Sequence, residues 1–266
     1  MLVLILDNRT VLSSASEAML LCIHVVIPSL LPYFIFSNLL VASLRGKWVL
    51  PLIGFVGGYP AGAQAIRTAY DQQNISEHQA RRYLVFCNNA GPAFIFGMIS
   101  QMFTKAYVPW VLWSIHITGS LLIARMVLQN EHSFSNYTAC KKDSSLQDVL
   151  LQSIKAIGMV CSWVILFKIM LNTVSAKLLN HTSVALRISV TGLVELTNGC
   201  SQLHLINSEY LRFVICAGFL GFGGVCVLFQ SISVAKGLGT KEILLGKTLH
   251  LGISLVLSAL IGYFMF

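Results

Sequence analysis

Two glycine-containing stretches interrupt an otherwise apolar chain, GFVGGYPAGAQ at 54–64 and GLVELTNGCSQ at 192–202. They share three residues at a constant offset of 138 positions: Gly54 with Gly192, Val56 with Val194, and Gln64 with Gln202. A membrane helix broken at such a stretch leaves backbone N–H and C=O groups unpaired, and protein, water or a ligand must bind them. Matching interruptions in two halves of a chain are typical of the substrate site of a transporter. The alternative is two ordinary loops with a chance resemblance, but the flanking segments also align and favour a repeat.

The first stretch supplies candidate solute-binding residues. Glycine and proline disfavour a regular helix by about 1 and 3 kcal/mol, and small side chains let the backbone approach a bound molecule. A glutamine adds a donor and an acceptor where the chain re-enters a helix. The same glycines could instead pack helices closely, and the two roles are compatible. The candidates are Gly57, Gly58, Tyr59, Pro60, Gly62 and Gln64.

Two adjacent amides interrupt the next apolar segment, in the run CNNAGP at 87–92. Such amides are costly at membrane depth unless they are hydrogen-bonded. They either bond the interrupted backbone or offer neutral hydrogen bonds to a polar solute. Asn88, Asn89, Gly91 and Pro92 are therefore further site candidates.

Glu195 is the only carboxylate inside a predicted membrane segment. An ionisable group there is a functional hypothesis by default, since it can bind a substrate, carry a proton or help to ligate Na⁺. The alternative is a structural ion pair with Lys168, which lies near the middle of another apolar segment. Neighbouring and later residues complete the candidates of the second half: Thr197, Asn198, Gly199, Gln202, Gly221, Gly223, Gly224 and Gln230.

The chain offers little to an enzyme. We find no nucleophile–base pair, cofactor motif or Cys/His cluster with metal-ligand spacing, and the seven cysteines are scattered. His24, His116 and His250 are isolated in apolar segments, where a packing role is expected and a proton relay is the alternative. We therefore expect neither catalysis nor a bound cofactor or metal.

Composition indicates an integral membrane protein. Hydrophobic residues make up 56% of the chain and charged residues 11%, whereas a soluble domain carries about 25% charged residues. The net charge of +8 is spread over short connections, which indicates loops facing anionic lipid rather than a nucleic-acid surface. Apolar segments of about 20 residues span a bilayer. Candidate spans lie at 17–44, 83–104, 107–129, 149–179, 211–235 and 243–266.

The predicted fold class is an all-α polytopic membrane protein built from two inverted repeats. Each repeat would hold three membrane-spanning helices and one re-entrant hairpin of broken helix, at 48–66 and 184–200. The hydrophilic run 131–148 would be a cytoplasmic linker between a first repeat at 1–130 and a second at 149–266. Hairpins that return to their own side give each half three crossings, so the second half is inverted. Hairpins that cross fully would make the repeats parallel.

The basic residues then fall unevenly on the two sides of the membrane. Eleven collect on one side: Arg45, Lys47, Arg67, Arg81, Arg82, Arg125, Lys141, Lys142, Lys236, Lys241 and Lys247. Five lie on the other: Arg9, Lys105, Lys177, Arg187 and Arg212. The positive-inside rule makes the first side cytoplasmic and both termini extracytoplasmic, in a multi-pass protein of the cell (inner) membrane.

The segments GGYPAGAQ, ISEHQARRYLVFCNNAGPAFIFGMI, GLVELTNGC and GFLGFGGVCVLFQS resemble the Gate-domain (nucleoside-recognition) membrane proteins. The resemblance is nearest to the YlbJ-type sporulation integral membrane proteins of endospore-forming bacteria and runs from residue 17 to residue 235. It implies a polytopic inner-membrane protein needed for spore formation, with a domain distantly akin to concentrative nucleoside transporters. Members usually begin with a complete hydrophobic helix, which here is reduced to residues 1–6.

Two functions of different classes follow as expectations. The first is a transporter-like permease for a small polar solute, nucleoside-like or otherwise, with Na⁺ or H⁺ as the coupling ion. The second is a non-transporting membrane scaffold required for assembly of the spore envelope, its cortex or coat. The expected partners are the lipid bilayer and the solute. Nucleic acid is not expected, and an oligomer is compatible with the sequence.

Overall fold

The computed structural model describes residues 8–43, 49–129, 145–178 and 182–266. Every regular element in these ranges is a helix, in agreement with the predicted all-α class. Thirteen α-helices follow one another along the described chain: α1 (Asn8–Leu21), α2 (Ile27–Ser43), α3 (Val49–Val56), α4 (Ala61–Asp71), α5 (Glu77–Phe86), α6 (Pro92–Gly97), α7 (Val108–Leu128), α8 (Leu146–Leu178), α9 (Val184–Val194), α10 (Leu196–Ser201), α11 (Glu209–Phe222), α12 (Gly224–Val234) and α13 (Thr240–Met265). A π-helical turn (Cys22–Val26) joins α1 to α2, and 3₁₀ turns cover Ile99–Met102 and Leu203–Leu205.

Four of the described helical stretches are long and apolar enough to cross a membrane. They are α7, Leu146–Thr173 of α8, Glu209–Val234 of α11 and α12, and α13. The 21 residues of α7 correspond to about 32 Å, which matches the hydrocarbon thickness of a bilayer. These helices confirm the predicted spans at 107–129, 149–179, 211–235 and 243–266, and with them an integral membrane protein.

The two remaining predicted spans differ from a simple helix. Helices α1 and α2 run through the π-helical turn as one helical stretch from 8 to 43, which begins earlier than the predicted 17–44. The predicted span 83–104 is not continuous, because α5 ends at Phe86 and the chain resumes a helix only at Pro92. Gly91 is extended, with φ −77° and ψ 156°, as the steric restriction on a residue before proline requires.

Two pairs of short helices form the predicted broken hairpins, α3 with α4 and α9 with α10. Gly62 of α4 faces Gly54 of α3, and Gly199 of α10 faces Gly192 of α9. A Cβ at Gly62 or Gly199 would meet the backbone of the opposite helix. Glycine is therefore required at both crossings, where it lets each helix pair fold back on itself.

The hairpins pack among the long helices. Helix α4 contacts α2, α5 and α12, while α9 and α10 contact α11 and α12. Helix α12 also packs on α8, and α11 packs along α13, which in turn contacts α5 and α7. Buried apolar side chains fill these interfaces in two clusters, one containing Ile66 and Leu84 and the other containing Leu203 and Phe213. The hairpins are thus enclosed by neighbouring helices.

Residues 131–144 of the predicted linker lie outside the described residues, as do four predicted cytoplasmic residues, Arg45, Lys47, Lys141 and Lys142. The side chain of Lys177, which was predicted on the opposite side, is also outside them. The last residues of the linker are helical, since α8 begins at Leu146 rather than at 149. The Asp148 carboxylate accepts a hydrogen bond from Ser145 Oγ at 2.9 Å, and Ser145 Oγ accepts one from the Asp148 N–H at 3.2 Å. These reciprocal bonds stabilise the N-terminal end of α8.

The close hairpin crossing can be tested at Gly62. A Cβ there would collide with the carbonyl of Cys87 and lie 3.0 Å from the Cα of Gly54. Because both neighbours are backbone, Gly62→Ala forces the hairpin apart, at a cost of about 1 to 3 kcal/mol for overpacking. We expect a lower midpoint of thermal unfolding for the purified variant in detergent.

Gly158→Ala is the matched control for this substitution. Gly158 is exposed in α8 and nothing lies within 4 Å of its Cβ position. Alanine improves helix propensity by up to about 1 kcal/mol, so this midpoint should stay unchanged or rise. Equal midpoints for the two variants would contradict the packing described at the crossing.

Candidate functional site

The breaks of the two hairpins meet at one cavity of about 490 Å³. The first break contributes residues 57–59 to its wall, and the second contributes residues 195–197. Seven of the predicted site residues line it: Gly57, Gly58, Tyr59, Gly91, Glu195, Thr197 and Gln230. The two interrupted segments therefore come together at one cavity in the described structure, and part of each stretch lines it.

Most of the remaining cavity wall is apolar. It is formed by side chains of α1, α2, α6, α8 and α12 and their connections: Leu21, Val26, Leu30, Phe94, Met98, Val160, Val164 and Val227. Tyr33 and Gln101 add polar groups that the sequence interpretation did not include. An apolar concave wall with a few placed polar groups is the usual form of a binding site for a small organic molecule.

Glu195 lies between α9 and α10 and is 7% exposed. Its carboxylate accepts hydrogen bonds from the backbone N–H of Thr197 at 3.0 Å and of Asn198 at 2.7 Å. The side chain therefore caps the N-terminus of α10, where free N–H groups favour an anion. The alternative ion pair is not observed, since Lys168 Nζ lies 3.7 Å from the Glu17 carboxylate instead. Glu195 thus combines a structural role with a place on the cavity wall.

The adjacent asparagines bond the interrupted segment and do not line the cavity. Asn88 Nδ2 donates to Ser231 Oγ at 2.7 Å. Asn89 Nδ2 donates to the Phe86 carbonyl at 2.7 Å and to Ser120 Oγ at 3.2 Å. Asn89 therefore bonds the interrupted backbone, one of the two roles predicted for these amides, whereas Asn88 bonds another side chain and its Oδ1 has no partner among the described residues.

Lys247 contacts a residue of the cavity wall, Tyr59, and sequence reasoning missed this role. We counted it among the cytoplasmic charges, but it is 4% exposed, in the interior of α13. Its Nζ donates to the Asn88 carbonyl at 2.5 Å and lies 4.3 Å from the centre of the Tyr59 ring. The signal in the sequence is a stripe of small and polar residues at helical spacing on α13, all of them buried: Gly246, Lys247, His250, Ser254, Ser258 and Gly262.

Two of the three histidines have the predicted packing role. His116 Nε2 accepts a hydrogen bond from the Ala90 N–H at 2.8 Å, and His250 Nε2 lies 2.9 Å from the His116 carbonyl. The two rings are stacked with their centres 4.4 Å apart. His24 is exposed on the helical stretch of α1 and α2, so the prediction of packing is wrong there.

The other predicted site residues lie outside the cavity wall: Pro60, Gly62, Gln64, Asn88, Asn89, Pro92, Asn198, Gly199, Gln202, Gly221, Gly223 and Gly224. Most of them shape the backbone. Gly223 and Gly224 have φ values of 82° and 83°, which interrupt the helix between α11 and α12. Gln202 Nε2 donates to the Asn198 carbonyl at 3.2 Å, and Gln64 lines a separate cavity.

Similarity to a known protein agrees with a membrane role. The chain is 25% identical, over 269 residues, to the sporulation integral membrane protein YlbJ of Bacillus subtilis (strain 168). It is a distant homologue of that protein. The match covers 78% of this chain and 66% of the relative, so the chain spans just under two thirds of the relative's length. No family model and no solved structure matches the chain. A membrane protein of a sporulating bacterium fits these findings.

The bonding of the interrupted segment can be tested at Ser120. Its hydroxyl is fully buried, donates to the Phe86 carbonyl at 2.6 Å and accepts from Asn89. Ser120→Ala removes a partner from each of these groups, and a buried group left unpaired costs about 1 to 3 kcal/mol. We expect a lower midpoint of thermal unfolding in detergent.

Ser114→Ala on the same helix is the control, because Ser114 is exposed and its hydroxyl donates only to the Trp110 carbonyl one turn away. Its midpoint should remain at the wild-type value. A Ser120→Ala protein as stable as Ser114→Ala would show that α7 does not support the interrupted segment in this way.

Proposed function

We propose that this protein is a transporter-like permease that carries a small polar solute across the membrane of a sporulating bacterium. The observation behind the proposal is that two backbone breaks, one from each half of the chain, lie on a single cavity. Irregular backbone at membrane depth is tolerated where it is buried in protein or lines a cavity. Transporters build their substrate sites from such breaks. The sporulation relative supports the biological setting.

The two hairpins are proposed to belong to inverted repeats, 1–130 and 149–266, joined by the linker 131–148. Gly54 and Gly192, which align in sequence, both lie at the crossing of their hairpin. A broken helix follows the hairpin in each half, as α5 and α6 in the first and as α11 and α12 in the second. These correspondences support a common origin of the halves, as does the resemblance to Gate-domain proteins.

The cytoplasmic side is proposed to be the one with most of the basic residues. Because Lys247 is buried, it no longer counts toward that side, and ten basic residues remain against five. The positive-inside rule still favours this orientation, with both termini outside the cell membrane.

The cavity suits a solute with an apolar body and a polar edge, as in a nucleoside-like molecule. Its volume of about 490 Å³ lies in the range of about 300 to 1,000 Å³ typical of small-molecule sites. Each oxygen of the Glu195 carboxylate accepts one backbone N–H bond and keeps lone pairs for a further partner. We therefore assign Glu195 to the polar edge of the solute, or to a coupling H⁺ or Na⁺, with Gln230 and Thr197 beside it.

The scaffold function has one observation in its favour. The backbone of Gly58 packs against that of Gly91, so that a Cβ on Gly58 would lie 2.8 Å from the Gly91 nitrogen. The first hairpin break is thus closed against the interrupted segment that follows it. Transport requires contacts of this kind to separate during a cycle, whereas a scaffold does not.

Uptake into proteoliposomes tests the proposal. Nucleosides, amino acids and dipicolinate are first screened for thermal stabilisation of the purified protein, and each compound of the panel is then followed in uptake. Glu195→Gln keeps an acceptor oxygen for the α10 cap but removes the charge, and Gln230→Leu removes a buried polar group of the wall at similar size. We expect Glu195→Gln to reduce uptake at least tenfold, since a hydrogen bond to a charged group contributes about 1.5 to 3 kcal/mol. Gln230→Leu should reduce uptake about two- to tenfold, since a neutral hydrogen bond contributes about 0.5 to 1.5 kcal/mol.

Two control variants distinguish binding from stability. Glu77→Gln removes a carboxylate that pairs with Arg81 on the exposed surface, and its uptake should equal that of the wild type. Asn89→Ala should lower thermal stability but leave uptake per folded protein unchanged, because Asn89 does not line the cavity. Equal uptake by wild type and Glu195→Gln would reject the site. No uptake of any compound in the panel would favour the scaffold.

A further inference from the structure

A second cavity, of about 640 Å³, lies between α4, α8 and the C-terminal end of α12. It shares no lining residue with the first cavity, and its wall is far more polar. Its lining residues are Gln64, Arg67, Thr68, Asp71, Gln72, Asp148, Gln152, Lys155, Ala156, Met159, Ser233, Val234 and Lys236.

Two helices turn polar faces toward this cavity. Gln64, Arg67, Thr68 and Asp71 recur at intervals of three and four residues, so they share one face of α4. Asp148, Gln152 and Lys155 do the same on α8. Several of these polar side chains are exposed, among them Asp71, Gln152 and Lys155. The cavity is therefore built for polar contents.

One basic side chain of the wall forms no ion pair with a carboxylate in the described residues. The Asp71 carboxylate forms an ion pair with Arg67 at 2.7 Å and lies 3.5 Å from Lys236 Nζ. The Asp148 carboxylate accepts a hydrogen bond from Ser145 Oγ at the N-terminal end of α8. Lys155 has no carboxylate partner in the part of the chain that the structure describes. Three cations face two carboxylates, and the free charge of the cavity is positive.

Gln64 adds a hydrogen-bonding group to the wall of this cavity. It is 8% exposed and lines the cavity, yet its side-chain amide has no hydrogen-bond partner among the described residues. Gln64 is not among the described residues with a fully enclosed, unpartnered polar atom, so its amide is accessible from the cavity and can bond to the cavity contents. An amide N–H and a free ammonium group together favour an oxygen-rich anion.

We propose that this cavity binds a phosphate group, supplied by the headgroup of an anionic lipid. Lys155 and the Gln64 amide would contact its oxygens, with Arg67 and Lys236 adding positive charge against Asp71 and Asp148. Basic pockets between membrane helices are known lipid-headgroup sites. Leu151 and Ile154, exposed on α8 close to Lys155, offer apolar surface for the acyl chains. This lipid-facing surface favours a lipid over a free phosphate.

Binding to purified protein in detergent tests the proposal. The probes are short-chain phosphatidylglycerol, short-chain phosphatidylcholine and glycerol 3-phosphate, each titrated into wild type, Lys155→Gln and Lys241→Gln. Lys241 is exposed near the start of α13 and does not line the cavity, so it is the matched control for loss of one charge. We expect phosphatidylglycerol to bind about fivefold more weakly to Lys155→Gln, since one basic residue contributes about 1 kcal/mol at a membrane surface. Lys241→Gln should retain wild-type affinity.

The outcomes separate the site from its source of phosphate. Equal binding of phosphatidylglycerol and phosphatidylcholine, or equal affinity of wild type and Lys155→Gln for every probe, would overturn the site. Binding of glycerol 3-phosphate as tight as that of phosphatidylglycerol, with the same dependence on Lys155, would keep the phosphate site but overturn the lipid as its source. None of these results depends on solute uptake.

Discussion

Backbone that is interrupted inside an apolar bundle must find hydrogen-bond partners, and residues 87–91 impose this requirement on the helices around them. Each buried group left unpaired would cost about 1 to 3 kcal/mol. Partners for this segment and the end of α5 come from three other helices: His116 and Ser120 of α7, Ser231 of α12, and Lys247 of α13. The first hairpin reaches the same segment by direct contact, with Gly54 and Gly62 against the Cys87 carbonyl. One irregular segment thus holds the hairpin and three helices in register.

Lys247 connects the interrupted segment to the first cavity, because it contacts both the Asn88 carbonyl and Tyr59. A lysine buried in a membrane protein is costly unless its charge is bonded, and in the described structure the Asn88 carbonyl and the Tyr59 ring are what its ammonium group contacts. Tyr59 is also part of the cavity wall. The cation that bonds the interrupted backbone therefore also positions a residue of the site. At the second break a single residue has both roles: the Glu195 carboxylate caps α10 and also lines the cavity.

The sequence was sufficient to locate the breaks, because glycine, proline and polar residues stand out in an apolar chain and act on the local backbone. It was insufficient to separate Gln230, which lines the first cavity, from Gln64, which lines the second. That distinction depends on which faces of α12 and α4 turn toward each cavity, and long-range packing decides it. Lys247 was misplaced because it follows a run of surface lysines closely, although the buried stripe on α13 has a readable helical spacing.

The two cavities share helices α8 and α12, which line one cavity with a polar, charged wall and the other with a mostly apolar wall. Along α8, Ala156 and Met159 line the charged cavity, whereas Val160 and Val164 line the apolar one. Along α12 the change occurs between Gln230 and Ser233. The two sets of lining residues are therefore three residues apart along α12, about 4.5 Å, and are directly adjacent along α8, at Met159 and Val160. If ligands bind at both cavities and shift α8 or α12, a rigid helix would make each ligand influence the binding of the other. By thermodynamic linkage that influence is reciprocal: whatever factor the first ligand applies to the affinity of the second, the second applies to the first.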